Sequence, residues 1–106
     1  MTGISLLFLT CANKKEASKI AFTLLKKRLI VCAKSLPVSS SSFWKGKIEN
    51  SREILLIMES DDSLFDRIEA EVRKIHSYET FVLISLPVSK SSKGIKNWLK
   101  TELKAR

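Results

Sequence analysis

The seven residues 43–49, with the sequence FWKGKIE, constrain the fold of this chain more than any other segment. Lys45-Gly46 predicts a two-residue hairpin loop, because glycine adopts positive φ without steric cost. The flanking segments 29–44 and 47–60 are each longer than a typical strand of about 5–6 residues. In a chain of 106 residues, such a hairpin extends beyond its own sheet. We therefore expect its aromatic far end to be buried against a second copy of the chain.

Apolar periodicity predicts the elements around this hairpin. Uninterrupted apolar runs predict buried strands, and apolar residues spaced three and four apart predict amphipathic helices. Pro37 cannot donate a ladder hydrogen bond, so its strand bends there or lies at a sheet edge. The predicted elements are a strand (4–10), a helix (14–28), the hairpin strands (29–44 and 47–60), a helix beginning at 60–62 and ending at 75, a strand (80–86) and a closing helix (95–103).

This order predicts a ferredoxin-like α+β sandwich, βαββαβ, with a long β-hairpin and an extra C-terminal helix, in a single domain spanning residues 1–106. Right-handed crossovers place both main helices on one face of the sheet. The apolar run 54–58 predicts a central strand that is buried on both faces. The second face must then be covered by the closing helix and by other subunits, which is a further argument for an oligomer.

The net charge of +8 raises the question of a nucleic-acid partner. RNA-recognition domains share the predicted fold, but they carry exposed aromatic residues in a Lys/Arg-Gly-aromatic pattern on their central strands. The chain has no such motif around Phe8 or in the run 54–58. A small enzyme is a third class, and neither a glycine-rich phosphate loop nor an activated nucleophile supports it. We therefore expect no enzyme, and nucleic acid remains the alternative partner.

The lengths and flanks of the apolar runs indicate where the chain is located. No apolar stretch approaches the roughly 18 residues that a membrane helix needs, so we expect no membrane partner. The first apolar run lacks a preceding basic region, which favours a buried strand over a signal peptide and predicts a cytoplasmic location.

Cys11 and Cys32 do not form a disulfide framework. Each is predicted to be a small buried apolar residue, with a metal or redox role as the alternative.

Two motifs carry a family resemblance. Aromatic-Trp is followed by Lys-Gly-Lys-Ile-Glu at 43–49, and His-x-Tyr-Glu stands at 76–79. With these motifs the chain resembles the CutA family of divalent-cation tolerance proteins over nearly its whole length. The resemblance implies a ferredoxin-like protomer, a tight homotrimer in which the long hairpins pack on neighbouring subunits, and a role in tolerance of divalent cations, copper in particular. Further matches are Cys32, Pro37, Val38, Glu53, Ile20-Ala21, Arg28-Leu29 and Trp98.

The chain departs from the family pattern near the second motif. Ser77 stands where the family usually has proline, and Phe81-Val82 replace a usual Pro-Glu. These changes lie close to the expected ligand residues and leave the hairpin untouched. The resemblance therefore supports the trimeric architecture more strongly than it supports metal binding.

Three groups of residues are candidates for function. His76 is the single histidine, and imidazole is a common ligand of copper and zinc. It is a candidate metal ligand together with Cys11, with a hydrogen-bonded structural histidine as the alternative. The intersubunit cleft is predicted to contain Lys47, Glu49, Glu53, Tyr78 and Glu79, which either bind a small ligand or form ion pairs that lock the trimer. The predicted trimer interface contains Phe43, Trp44 and Trp98, because buried aromatic residues anchor interfaces.

Overall fold

A computed structural model describes residues 2–103 of the chain. In this part, the elements follow the order β1-α1-β2-β3-α2-β4-α3, with a short 3-10 turn before α2. This order confirms the predicted ferredoxin-like fold with a closing helix. The bounds are β1 (Ile4–Cys11), α1 (Lys14–Lys26), β2 (Cys32–Trp44), β3 (Lys47–Asp61), α2 (Phe65–Ile75), β4 (Leu83–Pro87) and α3 (Ile95–Glu102).

The four strands of the described residues form one antiparallel sheet in the order β2-β3-β1-β4. β1 pairs with β3 only from Ile54 to Asp61, whereas β2 pairs with β3 along its full length to Lys47. The distal half of the hairpin therefore has no third strand beside it. The predicted overhang is confirmed, and β2 with Pro37 lies at the sheet edge as expected.

The hairpin loop has the predicted geometry. Lys45 has φ 52° and Gly46 has φ 79°. Positive φ at both central positions is the conformation of a type I′ turn, whose twist matches that of the flanking strands. The turn residues therefore fix the register of the two longest strands.

Four predicted boundaries were wrong by a few residues. Helix α2 begins at Phe65 instead of residues 60–62, because a 3-10 turn occupies Asp62–Leu64. Helix α1 ends at Lys26 instead of residue 28, because Arg28 adopts a left-handed conformation with φ 57°. Strand β2 consequently begins at Cys32 instead of residue 29, after the buried turn residues Leu29 and Ile30. Strand β4 begins at Leu83 instead of residue 80, and Phe81 before it packs against His76.

The hydrophobic core lies between the sheet and helices α1 and α2. Alternate residues of β1 and β3, such as Leu7 and Met58, point into it and are fully buried. Both helices therefore cover the same face, as the right-handed crossovers predict. The helices contribute Ala17, Ile20, Leu24, Ile68 and Val72, and α3 contributes Leu99.

The other face of the sheet is apolar and incompletely covered. The prediction that 54–58 is buried on both faces was wrong for a single chain: Leu56 and Met58 are buried, whereas Leu55 and Ile57 are only half-buried. The closing helix packs against the core through Leu99 and is tied to the end of α1 by an ion pair between Arg28 and Glu102. Three apolar residues that share the face of Leu55 and Ile57 remain 41–48% exposed: Leu36, Ile84 and Leu86.

No helix among residues 2–103 is long and apolar enough to cross a membrane.

Candidate metal centre

Three side chains from different elements meet at one end of the sheet. Cys11 is the last residue of β1, Glu16 lies in the first turn of α1, and His76 follows the last residue of α2. A sulfur, a carboxylate oxygen and a ring nitrogen of these residues all lie within 4.8 Å of one another. The structure therefore brings together the two predicted metal ligands and adds a carboxylate.

The imidazole of His76 is held from both sides. Its side chain is 0% exposed. Nε2 lies 2.8 Å from the carbonyl oxygen of Thr10, and Nδ1 lies 3.0 Å from the backbone nitrogen of Tyr78. A carbonyl only accepts and an amide only donates, so this network assigns the proton to Nε2 and makes Nδ1 the acceptor. The ring stacks on Phe81 at a centroid distance of 5.1 Å and contacts Tyr78 at 4.9 Å.

Glu16 is the member of the cluster that the sequence analysis does not identify. Its Oε2 accepts a 2.9 Å hydrogen bond from the Ala12 amide, and its Oε1 accepts a 2.8 Å bond from the Ser77 amide. Burial acts to raise its pKa, but the hydrogen bonds from Ser77 and Ala12 outweigh burial and lower the pKa below its usual value. The lowered pKa favours the ionised carboxylate, whose Oε2 lies 3.6 Å from Nδ1 of His76.

A local signal for Glu16 is present in the sequence. Asn13 caps α1 by accepting a 2.8 Å hydrogen bond from the Glu16 amide. Asn-x-x-Glu at a helix start is a variant of the capping-box pattern, in which the glutamate reaches back to an amide before the helix. The pattern predicts the backbone contact of Glu16 but not its approach to His76, which depends on where α2 ends.

Cys11 is fully buried beside these residues. Burial, together with the negative charges of Glu16 and Glu53, raises the pKa of its thiol to about 12. The thiol is therefore neutral near neutral pH. Cys32 is half-buried and not fully buried as predicted, and its sulfur lies 3.5 Å from Nζ of Lys34.

A second polar group ties the hairpin to the loop after α2. The Tyr78 hydroxyl donates a 2.8 Å hydrogen bond to Oε2 of Glu53, and the Ser40 hydroxyl donates to Oε1. Burial and the bond to Glu53 raise the pKa of Tyr78 to about 12. Two of the five predicted cleft residues, Glu53 and Tyr78, thus interact directly, and Ser40 is a further member that sequence patterns do not reveal.

The other predicted cleft residues do not converge within one chain. Glu49 and Lys47 are exposed and lie four and six residues from Glu53 along β3, which corresponds to about 13 Å and 20 Å. Glu79 is also exposed, and its carbonyl oxygen is 3.5 Å from an Arg73 nitrogen. Lys47 and Glu49 can approach the Glu53–Tyr78 pair only if a neighbouring chain supplies them, and the role of all three residues in a cleft stays a prediction.

The three residues predicted at the trimer interface are accessible in the single chain. Phe43 is 77% exposed, Trp44 45% and Trp98 42%. Phe43 and Trp44 lie at the tip of the overhanging hairpin, and Trp98 faces a shallow depression beside the end of α1. Large aromatic side chains with this exposure are available for association.

The donor set of the cluster fits a borderline or soft metal ion. Thiolate and imidazole favour copper or zinc over magnesium or calcium. In the structure, however, both nitrogens of His76 and both carboxylate oxygens of Glu16 already have hydrogen-bond partners. Coordination through Nδ1 of His76 would replace the bond from the Tyr78 amide. The same geometry also satisfies the alternative role of His76 as a structural residue.

Sequence and structure comparisons agree on one family. The sequence profile of the CutA1 divalent ion tolerance protein matches residues 5–102. "Protein CutA" of Mus musculus is 36% identical over 98 residues, which cover 92% of this chain and 55% of the mouse protein. The chain thus spans about half the length of this relative. The "Divalent-cation tolerance protein CutA" of Archaeoglobus fulgidus is 31% identical over 88% of this chain and 91% of its own length.

Solved structures show the same fold. The periplasmic divalent cation tolerance protein CutA from Archaeoglobus fulgidus superposes with a TM-score of 0.93 at 29% identity, over 95% of this chain and 99% of that chain. CutA1 from Oryza sativa superposes with a TM-score of 0.94 at 25% identity, over 99% and 97% of the two chains. The long hairpin and the closing helix are therefore shared features of the fold.

Proposed function

We propose that this chain, which belongs to the CutA1 divalent ion tolerance family, acts in the response to divalent metal cations as a homotrimer that binds copper. One observation carries the metal-binding part of this proposal. Sulfur, carboxylate and imidazole donors from Cys11, Glu16 and His76 lie within 4.8 Å of one another in a buried cluster. Relatives are named for tolerance, and we propose a binding function without catalysis for this chain as well.

The residues of the cluster would have distinct roles. A bound copper ion would supply a positive charge that compensates the buried carboxylate and a deprotonated thiol. His76 would offer Nδ1, which faces Glu16, while Nε2 stays bonded to the Thr10 carbonyl and orients the ring. Such a bond from the second ring nitrogen is the usual support of a histidine ligand. Phe81 and Tyr78 would keep water from the ring.

Two features support association of subunits, whereas the number three comes from the family resemblance alone. The distal hairpin has exposed aromatic residues and no third strand, and the sheet face opposite the helices has exposed leucine and isoleucine side chains. Contiguous exposed apolar surface of this kind marks association sites. We propose that neighbouring hairpins cover this face and bring Lys47 and Glu49 toward Glu79 and the cluster of another subunit.

Metal titration tests the copper proposal directly. The purified full chain is titrated with Cu(II) and, in the presence of a reductant, with Cu(I), by calorimetry and by competition with a chelator. His76→Gln and Cys11→Ala are compared with Cys32→Ala, which removes a cysteine outside the cluster. We expect the first two variants to lose binding and Cys32→Ala to keep it. Equal binding by all four proteins would remove the cluster from the proposal.

The oligomeric state is tested separately by size-exclusion chromatography with light scattering. A trimer at micromolar concentration supports the proposal, and a monomer or dimer contradicts it. A trimer that binds no copper would support the proposed assembly and would contradict only the proposed metal site.

The alternative of a nucleic-acid-binding module is not favoured. Phe8 on β1 is half-buried, and β3 carries no aromatic residue in its sequence KIENSREILLIMESD. The central strands of the described sheet therefore lack the paired aromatic platform of RNA-recognition domains. The cytoplasmic location expected from the sequence also stays a proposal, which cell fractionation would test.

A further inference from the structure

Helix α1 has a basic outer side with an exposed aromatic ring. Its inner side is formed by Ala17, Ile20 and Leu24, which are buried in the core. At 3.6 residues per turn, four other residues fall within about 60° of one another on the opposite side and extend over about 16 Å. These four exposed residues, here called the outer stripe, are Lys15, Lys19, Phe22 and Lys26.

The charges of the outer stripe are not neutralised by the residues that the structure describes. Ion pairs of residues 2–103 involve Lys27 and Arg28 at the end of α1, but none involves a lysine of the outer stripe. Phe22 is 63% exposed, and Nζ of Lys26 lies 5.6 Å from its ring centroid. Leu25, on the flank of the stripe, is 40% exposed. An apolar patch thus lies among cationic groups.

We propose that the outer stripe docks this protein on the surface of anionic lipid bilayers. A peripheral helix combines lysines that are attracted to acidic head groups with apolar side chains that enter the head-group region. Phe22 and Leu25 supply the apolar part, and the three lysines supply the charge. The chain contacts the bilayer surface and does not span it.

The chemistry of the outer stripe favours lipid over nucleic acid. Sequence-independent binding of single strands uses a basic groove with several aromatic rings on which bases stack. The outer stripe is the convex side of one helix and offers one ring. A phosphate backbone offers no apolar contact to Leu25. In the head-group layer of a bilayer, by contrast, apolar contacts stabilise both Phe22 and Leu25.

Most of the outer stripe is accessible in the proposed trimer. Helix α1 covers one face of the sheet, and most exposed apolar residues assigned to association lie on the opposite face and on the hairpin. Trp98 is the exception, because the depression that it faces also includes Leu25 and Lys26 at the end of α1. Lys15, Lys19 and Phe22 lie outside this depression, so they stay available for lipid after assembly, and docking does not depend on metal binding.

Vesicle co-sedimentation tests this proposal with the full chain. Phosphatidylserine-containing vesicles are compared with neutral phosphatidylcholine vesicles at low and high salt. Each lysine near an acidic surface is expected to contribute about a fivefold gain in partitioning. We expect binding only to the acidic vesicles, with loss at high salt, and a loss of at least about 25-fold in the double variant Lys19→Glu/Lys26→Glu.

Two matched comparisons separate the outer stripe from general charge. Lys90→Glu/Lys93→Glu makes the same change of net charge in an exposed loop before α3 and should keep most of the binding. Phe22→Ser should weaken binding without changing charge, and Phe22→Trp should restore it. Thermal melting confirms that each variant is folded. An equal loss in both lysine variants, or binding to RNA but not to acidic vesicles, would overturn the proposal.

Discussion

The backbone amide of Ser77 donates a 2.8 Å hydrogen bond to Oε1 of Glu16. Proline, which the family resemblance implies as the usual residue at this position, has no amide hydrogen and cannot make this bond. The preceding residue His76 has φ −63° and ψ 136°, a conformation that suits the residue before a proline. The conformation of His76 is thus compatible with either residue at position 77, and the serine adds a hydrogen bond to the carboxylate that faces His76.

Ser77→Pro should therefore destabilise the protein relative to Ser77→Ala, which keeps the amide. Loss of a hydrogen bond to a charged group costs about 1.5–3 kcal/mol, and the rigidity of proline offsets about 0.4–1 kcal/mol. We expect a net loss of about 1 kcal/mol in urea unfolding. The pKa of Glu16 should also rise in Ser77→Pro, as measured by NMR titration. Equal stability and equal pKa in the two variants would show that this bond contributes nothing.

Tyr78 should ionise only at high pH. It is the single tyrosine of the chain, so tyrosinate absorbance reports it alone. Burial and the hydrogen bond to Glu53 raise its pKa to about 12. Because the folded pKa lies above the ordinary value of about 10, the associated stability is complete below about pH 10 and is lost as pH rises through 12.

A spectrophotometric titration, followed in parallel by circular dichroism, checks this behaviour. Glu53→Gln should move the midpoint toward the ordinary value, and the exposed Glu49→Gln should leave it unchanged. Ionisation near pH 10 while the chain is still folded would contradict the described contact between Tyr78 and Glu53.

Asp61 should stabilise the fold to an extent that depends on pH. Its carboxylate accepts hydrogen bonds from the amides of Thr2, Gly3 and Ser63 at 2.9–3.0 Å. Burial acts to raise its pKa, but the bonds from Ser63, Gly3 and Thr2 outweigh burial and lower it. The stability is therefore present above the ordinary pKa of about 3.9 and is lost as pH falls through the lower folded pKa.

Asp61→Asn should cost about 1–3 kcal/mol near neutral pH and reduce the acid dependence of the free energy of unfolding. Asp66→Asn, at an exposed position of α2, serves as the control. Urea unfolding across the acidic range measures both quantities. A slope against pH that is the same in the Asp61 variant and in the wild type would rule out this role.

Trp44 should anchor the association of subunits. Truncation of a buried interface tryptophan costs at least about 2 kcal/mol, which corresponds to roughly 30-fold in the association constant at each contact. Trp44→Ala should therefore dissociate at higher protein concentration in light scattering. Phe22→Ala, another exposed aromatic residue but one on α1, should assemble normally. An unchanged assembly in Trp44→Ala would assign the hairpin tip to another role.

The fold could be predicted from local patterns because each pattern acts within a few residues. Lys45-Gly46 predicts a turn with two positive φ values, and the apolar spacing of Ile20 and Leu24 predicts the buried side of α1. Errors arose where packing around an element decides its end. Phe81 packs on His76 instead of extending β4. Arg28, which forms an ion pair with Glu102 of α3, ends α1 early in a left-handed conformation.

The candidate site was only partly predictable for a related reason. His76 and Cys11 have recognisable donor chemistry, so residue type alone identifies them as candidates. Glu16 and Ser40 are common polar residues whose importance depends on their neighbours, His76 and Glu53. The distance between Glu16 and His76 follows from how α1 and α2 lie on the sheet, and that between Ser40 and Glu53 follows from the register of the hairpin, in which Val38 pairs with Glu53.

The sequence by itself determined the order of elements, the hairpin turn, the overhang and the family, because these depend on chain length, backbone preferences and motifs. Only the tertiary structure decided which donors meet. It placed Glu16 beside His76 and Tyr78 against Glu53. It left Glu49 and Lys47 about 13–20 Å from Glu53 along β3, and it left one sheet face incompletely covered. Contacts between residues distant in sequence depend on packing geometry, which no local pattern contains.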